Sequence, residues 1–421
     1  MNEIMRFDLD LTEAQQQLLG RIAPLDGERV SLLSAWGRII SEEITAEHDV
    51  PLYRQSAVDG FAVSEEAPVG VRFLLRETAI TPESEIGTGE SYSVATGGLV
   101  PLNTRMVVPC ENARIEGSYI AFTKEIKSGR NIKSAGEDLQ RGTTLASPGT
   151  RVDPGLVSAM AAFGYGEVSV YRCPRVGVIS LAKGAVPWHD TPGPDQFRDS
   201  NGPLLASLVN SDGGEVIAVD LAGDNSPDLK KRALELLDSV DLLIVTGGTH
   251  GGEYDEARNL LEEIGAEFLF WGVKIRPGGH PAAALFGSRI IICLSGNPGA
   301  CMVGYQMLVS PAMRALQGLP PLYPSIKARC VNSFAKEGGP RRLVRANAVV
   351  HEDGWRVTVL PGQKSSMMNS SIDCNAFIDL PAGHPPVKAD SEVKVILLNP
   401  EYSGIYHSHM QQSTGGDLGN E

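Results

Sequence analysis

The stretch Asp241-Leu-Leu-Ile-Val-Thr-Gly-Gly-Thr-His-Gly-Gly-Glu-Tyr-Asp255 and its echo Arg289-Ile-Ile-Ile-Cys-Leu-Ser-Gly-Asn-Pro298 decide the fold. Each is a short run of apolar residues that breaks abruptly into glycine and capping residues. Such a run reads as a strand buried on both faces, and its abrupt polar end as a loop feeding a helix. Working outward, Val176–Leu181 and Glu215–Asp220 have the same texture. Between them, Asp199-Ser-Asn201 with Pro203 opens a helix toward Asn210, and Ser226-Pro227 caps an amphipathic helix through Leu237. A further helix is expected near Tyr254–Ile264, and a long one from Pro298 to about Leu316. Strands alternating with helices at this spacing predict parallel pairing in an open α/β sheet.

The flanking chain has other textures. Leu11–Gly20 reads as a helix with Thr12 as N-cap and Gly20 as stop, and Ser31–Trp36 as a second. From about Ile44 to Thr144 short β-rich runs alternate with Gly and Pro, among them Val71–Leu75, Met106–Val108 and Tyr119–Phe122. Val152–Phe163 is a helix introduced by Asp153 and Pro154. After Pro320-Pro321 the texture is β again, with strands over Ala328–Val331, Val344–Val350, Trp355–Val359 and Val393–Leu398 and a hairpin turn at Asp353-Gly354. The division expected is a discontinuous helical domain over 1–45 and 143–172, an inserted β-rich domain over 46–142, an α/β domain over 173–322, a β domain over 323–402 and a polar tail over 403–421.

A chain of 421 residues is long enough for about three domains. Its 37 Lys and Arg against 51 Asp and Glu leave a net charge of -14, which repels nucleic acid in general. No apolar run approaches a membrane span, and Met1–Asp10 carries no apolar export core, so a soluble, cytoplasmic protein is expected. Six scattered cysteines without a Cys-x-x-Cys pair read as reduced buried thiols rather than a zinc or disulfide framework.

Ligands of an open α/β sheet bind at the carboxyl ends of its strands. There the glycines after Thr246, including Gly247 and Gly248, let backbone N–H groups approach an anion. Ser295, Gly296, Asn297 and Pro298 offer a helix N-terminus to a phosphate. Either loop alone reads more readily as a tight βα turn, by roughly two to one; the two together at one sheet edge favour a phosphorylated ligand. Asp59, Asp138, Asp224 and Asp255 are the acidic candidates. Carboxylates make sense beside phosphate when Mg²⁺ lies between them, and singly they read as turn and cap residues. Lys274, Arg276 and Arg345 are the candidate cations for phosphate.

At these residues the chain resembles the molybdopterin molybdenumtransferases, the MoeA and gephyrin type. The resemblance runs through Asp49–Leu52, Ser56-Ala-Val-Asp-Gly-Phe-Ala-Val63, Ala95-Thr-Gly-Gly98, Gly129–Ile132, Gly136-Glu-Asp-Leu139, Asp199-Ser-Asn201, Thr246–Asp255, Arg276-Pro-Gly278 and Leu294-Ser-Gly-Asn-Pro298. It implies an α/β plus β multidomain fold, with a MogA-like open α/β domain, a β-rich inserted domain and a C-terminal β-barrel-like domain. It also implies insertion of molybdenum from molybdate into adenylylated molybdopterin, with Mg²⁺-dependent release of AMP, by a homodimer whose site lies at the subunit interface. Carried over by position, Asp59, Asp138, Asp255 and Thr96 are catalytic, and Asp59, Asp224 and Asp255 hold the metal. Thr246, Gly247, Gly248, Arg276, Ser295, Gly296, Asn297, Pro298 and Arg345 bind the cofactor, and Thr96 hydrogen-bonds an oxyanion. The family's acidic Thr-Gly-Asp/Ser-Glu is replaced by Leu181-Ala-Lys-Gly-Ala185, and a lysine of its Pro-Gly-Lys-Pro by His280. These changes keep a second reading open, a non-catalytic relative that carries the pterin or modulates a partner.

Overall fold

The computed structural model describes residues 7–125, 127–222, 228–249 and 255–398. Asp224, the Ser226-Pro227 cap, His250–Tyr254 and the polar tail lie outside these residues. The described chain forms two compact units, one of the residues up to Glu28 and from Val170 onward, the other of Arg29–Ser169.

In the first unit the strands Glu215–Ala222, Arg175–Leu181, Leu242–Thr246 and Arg289–Leu294 lie side by side and pair in parallel, as their alternation with helices requires. Alternate residues face opposite layers. Leu242 and Ile244 pack with Leu205, Val209 and the helical stretch around Cys301–Leu316; Leu243 and Val245 pack with Leu236, Leu237, Leu260 and Leu261. Beyond Arg289–Leu294 the sheet is not parallel. Ala282–Phe286 runs antiparallel to it and to Glu267–Val273, and Phe7–Leu9 adds in parallel at the edge. Only Gly287 and Ser288 join the first two of these strands, too short a link for a parallel crossover. Ala282-Ala-Ala lacks the branched residues that mark a strand, so burial rather than propensity places it there.

Three local expectations change. The helix Leu11–Leu19 is capped by Asp10, whose Oδ1 accepts from Thr12 N–H at 2.9 Å, and not by Thr12 itself. Ser31–Trp36 holds only a 3-10 turn, Leu32–Ser34, because so short a segment cannot offset the cost of helix nucleation and Gly37 follows at φ 78°. The long helix divides into Pro298–Gly304, a π-helical turn Tyr305–Val309, and Ser310–Leu316. Pro311 has no N–H, and its ring excludes the carbonyl four residues back, Met307, which widens the helix. That carbonyl instead accepts from Gln15 Nε2 on the first helix at 2.8 Å.

The C-terminal strands close into a five-stranded barrel. Arg341–His351, Gly354–Val359, Ser325–Cys330, Glu392–Leu397 and Ala376–Leu380 follow one another, and the last pairs back to the first. The expected hairpin turn at Asp353-Gly354 joins the first two. In the second unit a six-stranded sheet, from Met106–Pro109 to Ala113–Glu116, buries Phe61, Phe73, Ile120 and Phe122 on one face and Ala62, Val94 and Val107 on the other. The helix Pro154–Ala162 begins as its sequence predicts, with Asp153 accepting from Leu156 N–H. All six cysteines are free, but only Cys293, Cys301 and Cys330 are fully buried and Cys110 is exposed. No helix among the described residues is long and apolar enough to cross a membrane.

Asp241 pins the amino ends of the parallel strands. Its carboxylate takes both guanidinium nitrogens of Arg172 at 2.6 Å, Arg175 N–H at 2.9 Å and Arg289 at 3.3 Å. Burial alone would push this carboxyl up; the hydrogen bonds and the two arginine charges outweigh it and hold it below the usual aspartate range. Asp241→Asn is therefore expected to cost about 3 kcal/mol at neutral pH, since it strips a buried charge pair of one partner. A group with a depressed folded value contributes above its unfolded pKa and loses that contribution as pH falls through the folded one. Urea midpoints of parent and variant should thus converge below about pH 4, with equal slopes throughout.

Candidate active site

At the carboxyl edge of the parallel strands the expected loops are joined by Asn201. Its Nδ2 donates to Thr246 Oγ1 at 3.1 Å and to the Gly296 carbonyl at 2.9 Å, while Thr246 Oγ1 donates to the Ser295 carbonyl at 3.1 Å. Asp199 holds Asn201 in place by accepting from the N–H groups of Asn201 and Gly202. Thr246, Ser295 and Gly296 are thus brought together, and Asn201 is the organising residue that spacing alone did not single out.

Gly247 has a steric reason of its own. Gly247 sits at φ 91°, and a Cβ there would lie 2.0 Å from the Leu181 carbonyl oxygen. Its N–H donates to Leu294 O at 3.0 Å. The neighbouring strand, not an anion, demands glycine at this position. Gly248 follows in the same left-handed region, half-buried, with its carbonyl accepting from Ala257 N–H. The helix start after Ser295 is also less open than expected. Gly299 N–H donates to Ser365 O at 2.8 Å, and the N–H groups of Ala300 and Cys301 turn back to Asn297 O. The exposed part of this loop is its tip, Gly296 and Asn297, with Ser295 and Pro298 half-buried beside it.

Arg345, expected to bind phosphate, is wholly buried. Its Nε donates to Ser370 Oγ at 2.6 Å, Nη1 to Gly299 O at 3.0 Å, and Nη2 to Gly362 O and Lys364 O at 3.0 and 2.9 Å. With four of its five N–H donors taken it serves as a pin between the barrel and the Ser295 loop, and the phosphate role is corrected. Burial pushes its guanidinium below the usual arginine value. The cation that does face outward beside Arg276 is Arg342, which sequence reasoning missed. Ile275-Arg276 pairs in parallel with Arg341-Arg342, so Arg276 and Arg342 stand opposite each other on one face. Arg276 is exposed and Arg342 half-buried. Burial first, and then the Arg276 charge, push the Arg342 guanidinium below its usual value. Neither makes an ion pair with a carboxylate among the described residues. Two like charges held side by side without a counter-ion suit an oxyanion. The signal that would have found Arg342 is the two-residue strand Ile275–Arg276, too short to show in sequence.

In the other unit, Asp59 Oδ1 accepts from Thr96 N–H at 2.6 Å and from Thr96 Oγ1–H at 2.9 Å. The Thr96 N–H, and then its hydroxyl, hold the exposed Asp59 carboxyl below the usual aspartate range. The Thr96 hydroxyl proton is directed at Asp59 rather than at an oxyanion, so its first task is to orient that carboxylate. Asp138 lines a cleft of about 450 Å³ with Val50, Pro51, Gln55, Lys133 and Glu137. Asp255 is 3% exposed and caps the helix Glu256–Ile264, its Oδ1 accepting from Arg258 N–H. Among the described residues no three His, Cys, Asp or Glu side chains cluster as metal ligands. Asp59 nonetheless fits Mg²⁺: it is ionised, exposed, and its Oδ2 carries no hydrogen bond among the described residues. Magnesium needs only one or two carboxylates when substrate phosphates and waters supply the rest. Cys301, beside Thr246, is pushed up to about 12 by burial and stays a thiol, which excludes it as a nucleophile.

Arg345→Met keeps much of the volume but removes the guanidinium donor from the carbonyls of Gly299, Gly362 and Lys364, leaving Gly362 O to Ser370 Oγ and Lys364 O to Met367 N–H. The expected cost is about 3–5 kcal/mol, read from urea unfolding, and proteolysis should open the 362–370 loop first.

Three family models cover nearly all of the chain: the MoeA N-terminal region (domain I and II) over 9–164, the probable molybdopterin binding domain over 178–315, and the MoeA C-terminal region (domain IV) over 327–398. A molybdopterin molybdenumtransferase of Bacillus subtilis (strain 168) is 34% identical over 389 residues, covering 89% of this chain and 90% of its own. One from Staphylococcus epidermidis is 30% identical over 404 residues, covering 93% and 96%. The crystal structure of a molybdopterin biosynthesis MoeA protein from Pyrococcus horikosii superposes with a TM-score of 0.80 at 25% identity, over 93% of this chain and 99% of that one. With its fold, its loops and its relatives in agreement, the chain belongs to the MoeA family of molybdopterin molybdenumtransferases.

Proposed function

We propose that this enzyme of molybdenum-cofactor synthesis transfers molybdenum from molybdate to adenylylated molybdopterin, cleaving the phosphoanhydride with Mg²⁺ and releasing AMP. It acts in the cytoplasm as a homodimer, each site being completed by the partner subunit. The observation that carries the reading is the Arg276–Arg342 pair, two guanidiniums in register with no carboxylate among the described residues to neutralise them. A tetrahedral oxyanion such as molybdate is the complementary charge. The exposed Gly296–Asn297 tip and the Thr246–Asn201–Ser295 network beneath it supply a rigid polar rim for the pterin's phosphate.

Asp59 is the carboxylate we assign to the metal. Because Thr96 fixes Oδ1, the other oxygen is the one presented outward, ionised across the neutral range. Asp59 and the rim of Asp138 orient the attacking water and hold the metal's water shell. Bound Mg²⁺ adds neutralisation of the phosphate charge that develops as the anhydride opens. The Arg276 side keeps molybdate close until the two dithiolene sulfurs bond to its molybdenum and one of its oxygens leaves as water with the two thiol protons.

The second reading, a carrier without turnover, rests on the turn after Leu181. Ala185 N–H closes on Ala182 O around Gly184 at φ 75°, and Lys183 is exposed where the family's acids would stand. Incubation with adenylylated molybdopterin, Mg²⁺ and molybdate decides between them: AMP release supports the enzyme, and pterin binding without AMP supports the carrier. Asp59→Asn should lower AMP release about 100-fold or more without moving the unfolding midpoint. Thr96→Val removes one donor to the ionised Asp59, raising its pKa toward the ordinary value. The acid limb of kcat/KM should therefore move to higher pH, and an unmoved limb would show that Asp59 ionisation does not govern the rate.

A further inference from the structure

We propose that His384 is a positioning residue that aims Arg342 at the oxyanion while leaving its charge uncancelled. The inference rests on the reading of Arg276 and Arg342 as the oxyanion site. His384 is 3% exposed. Its Nδ1 lies 3.0 Å from Pro385 O, and its Nε2 lies 3.4 Å from Arg342 Nε. A carbonyl only accepts and a guanidinium N–H only donates. One form of the ring satisfies both, a neutral imidazole with its proton on Nδ1 and its lone pair on Nε2 facing Arg342.

Three consequences follow from that geometry. With Nε engaged, Arg342 presents its Nη1 and Nη2 end rather than its side, which fixes the approach of the anion. The choice of partner also matters. The adjacent Arg341, on the opposite face, pairs bidentately with the Asp379 carboxylate at 2.7 and 2.8 Å, and its charge is spent there. Arg342 receives a neutral acceptor, which orients it as a carboxylate would but cancels nothing. Finally, the backbone of the same loop secures the other side of the pair. Gly338 N–H donates to His384 O at 2.8 Å and Gly383 N–H to Gly339 O at 2.9 Å, and a Cβ at Gly339 would lie 3.9 Å from Arg276 Nη1. One buried residue thus sets the guanidinium of Arg342 and the loop flanking Arg276.

The test measures molybdate binding to the purified protein by calorimetry, together with the molybdate KM and kcat of AMP release. His384→Gln, whose amide oxygen replaces the Nε2 lone pair, should bind within about twofold of the parent. His384→Leu should weaken molybdate binding and raise its KM roughly tenfold with kcat nearly unchanged, as loss of a hydrogen bond to a charged group would. His384→Glu should weaken binding at least as much, although it can accept the same hydrogen bond, because its charge neutralises Arg342. Equal binding by the Gln and Glu variants overturns the proposal, and this comparison stands even if the Leu variant fails to fold. If Arg276→Ala and Arg342→Ala leave molybdate binding unchanged, the oxyanion site itself is misplaced. If those two weaken it and the three His384 variants match the parent, only the role of His384 falls.

Discussion

A guanidinium without solvent has to find its acceptors in the protein, and Arg345 does so at four points on two other segments. Because its charge is never neutralised, the arrangement tolerates little displacement: each carbonyl must stay aimed at its N–H. The strand Arg341–His351, the start of the helix at Gly299 and the loop from Gly362 to Ser370 are therefore fixed relative to one another. A Cβ at Gly299 would come within 2.7 Å of Arg345 Nη1, so the glycine in this loop serves the arginine as much as any ligand. The Ser295 loop is held rigid from beneath before substrate arrives, which is what a site that works by positioning needs.

The first unit separates stability from chemistry along its strands. At their amino ends Asp241 gathers the guanidiniums of Arg172 and Arg289 and the backbone N–H of Arg175, so that the charges there have partners of opposite sign. At their carboxyl ends the groups that join the loops are neutral, Asn201, Thr246 and Ser295, with the Asp199 carboxylate spent on backbone N–H groups, while Arg276 and Arg342 stand beside the barrel with no carboxylate partner among the described residues. Compensated charges lock a structure; uncompensated ones wait for a ligand of opposite sign. The same distinction divides three arginines of a single strand, Arg341 paired with a carboxylate, Arg345 enclosed by carbonyls, and Arg342 left with an imidazole.

The parallel core was legible because its strands are buried on both faces and so carry continuous apolar runs such as Leu242–Val245. The antiparallel edge was not: Ala282–Phe286 owes its place to burial, and a two-residue strand at Ile275–Arg276 leaves no periodic trace. Positions in the site were read more readily than roles. Thr246 and the Ser295 loop do meet, through Asn201, and Asp59 does engage Thr96. Yet a glycine required by a neighbouring carbonyl and one required by an anion look alike in sequence, as Gly247 demonstrates. An arginine gives no sign in sequence of whether it faces water or carbonyls, so nothing there separates the enclosed Arg345 from the outward-facing Arg342.

The carbonyl released at Met307 by Pro311 is taken up by Gln15, and Leu25 N–H reaches Leu316 O. Residues near the beginning of the chain thus complete their contacts only with residues almost three hundred positions later. During synthesis the opening strand and helix must wait, unsatisfied, while Arg29–Ser169, a continuous segment with its own cores, has everything it needs as it leaves the ribosome. The order of assembly runs opposite to the order of translation at the amino terminus. A helix defect near residue 307 is the late-arriving partner that ends the wait.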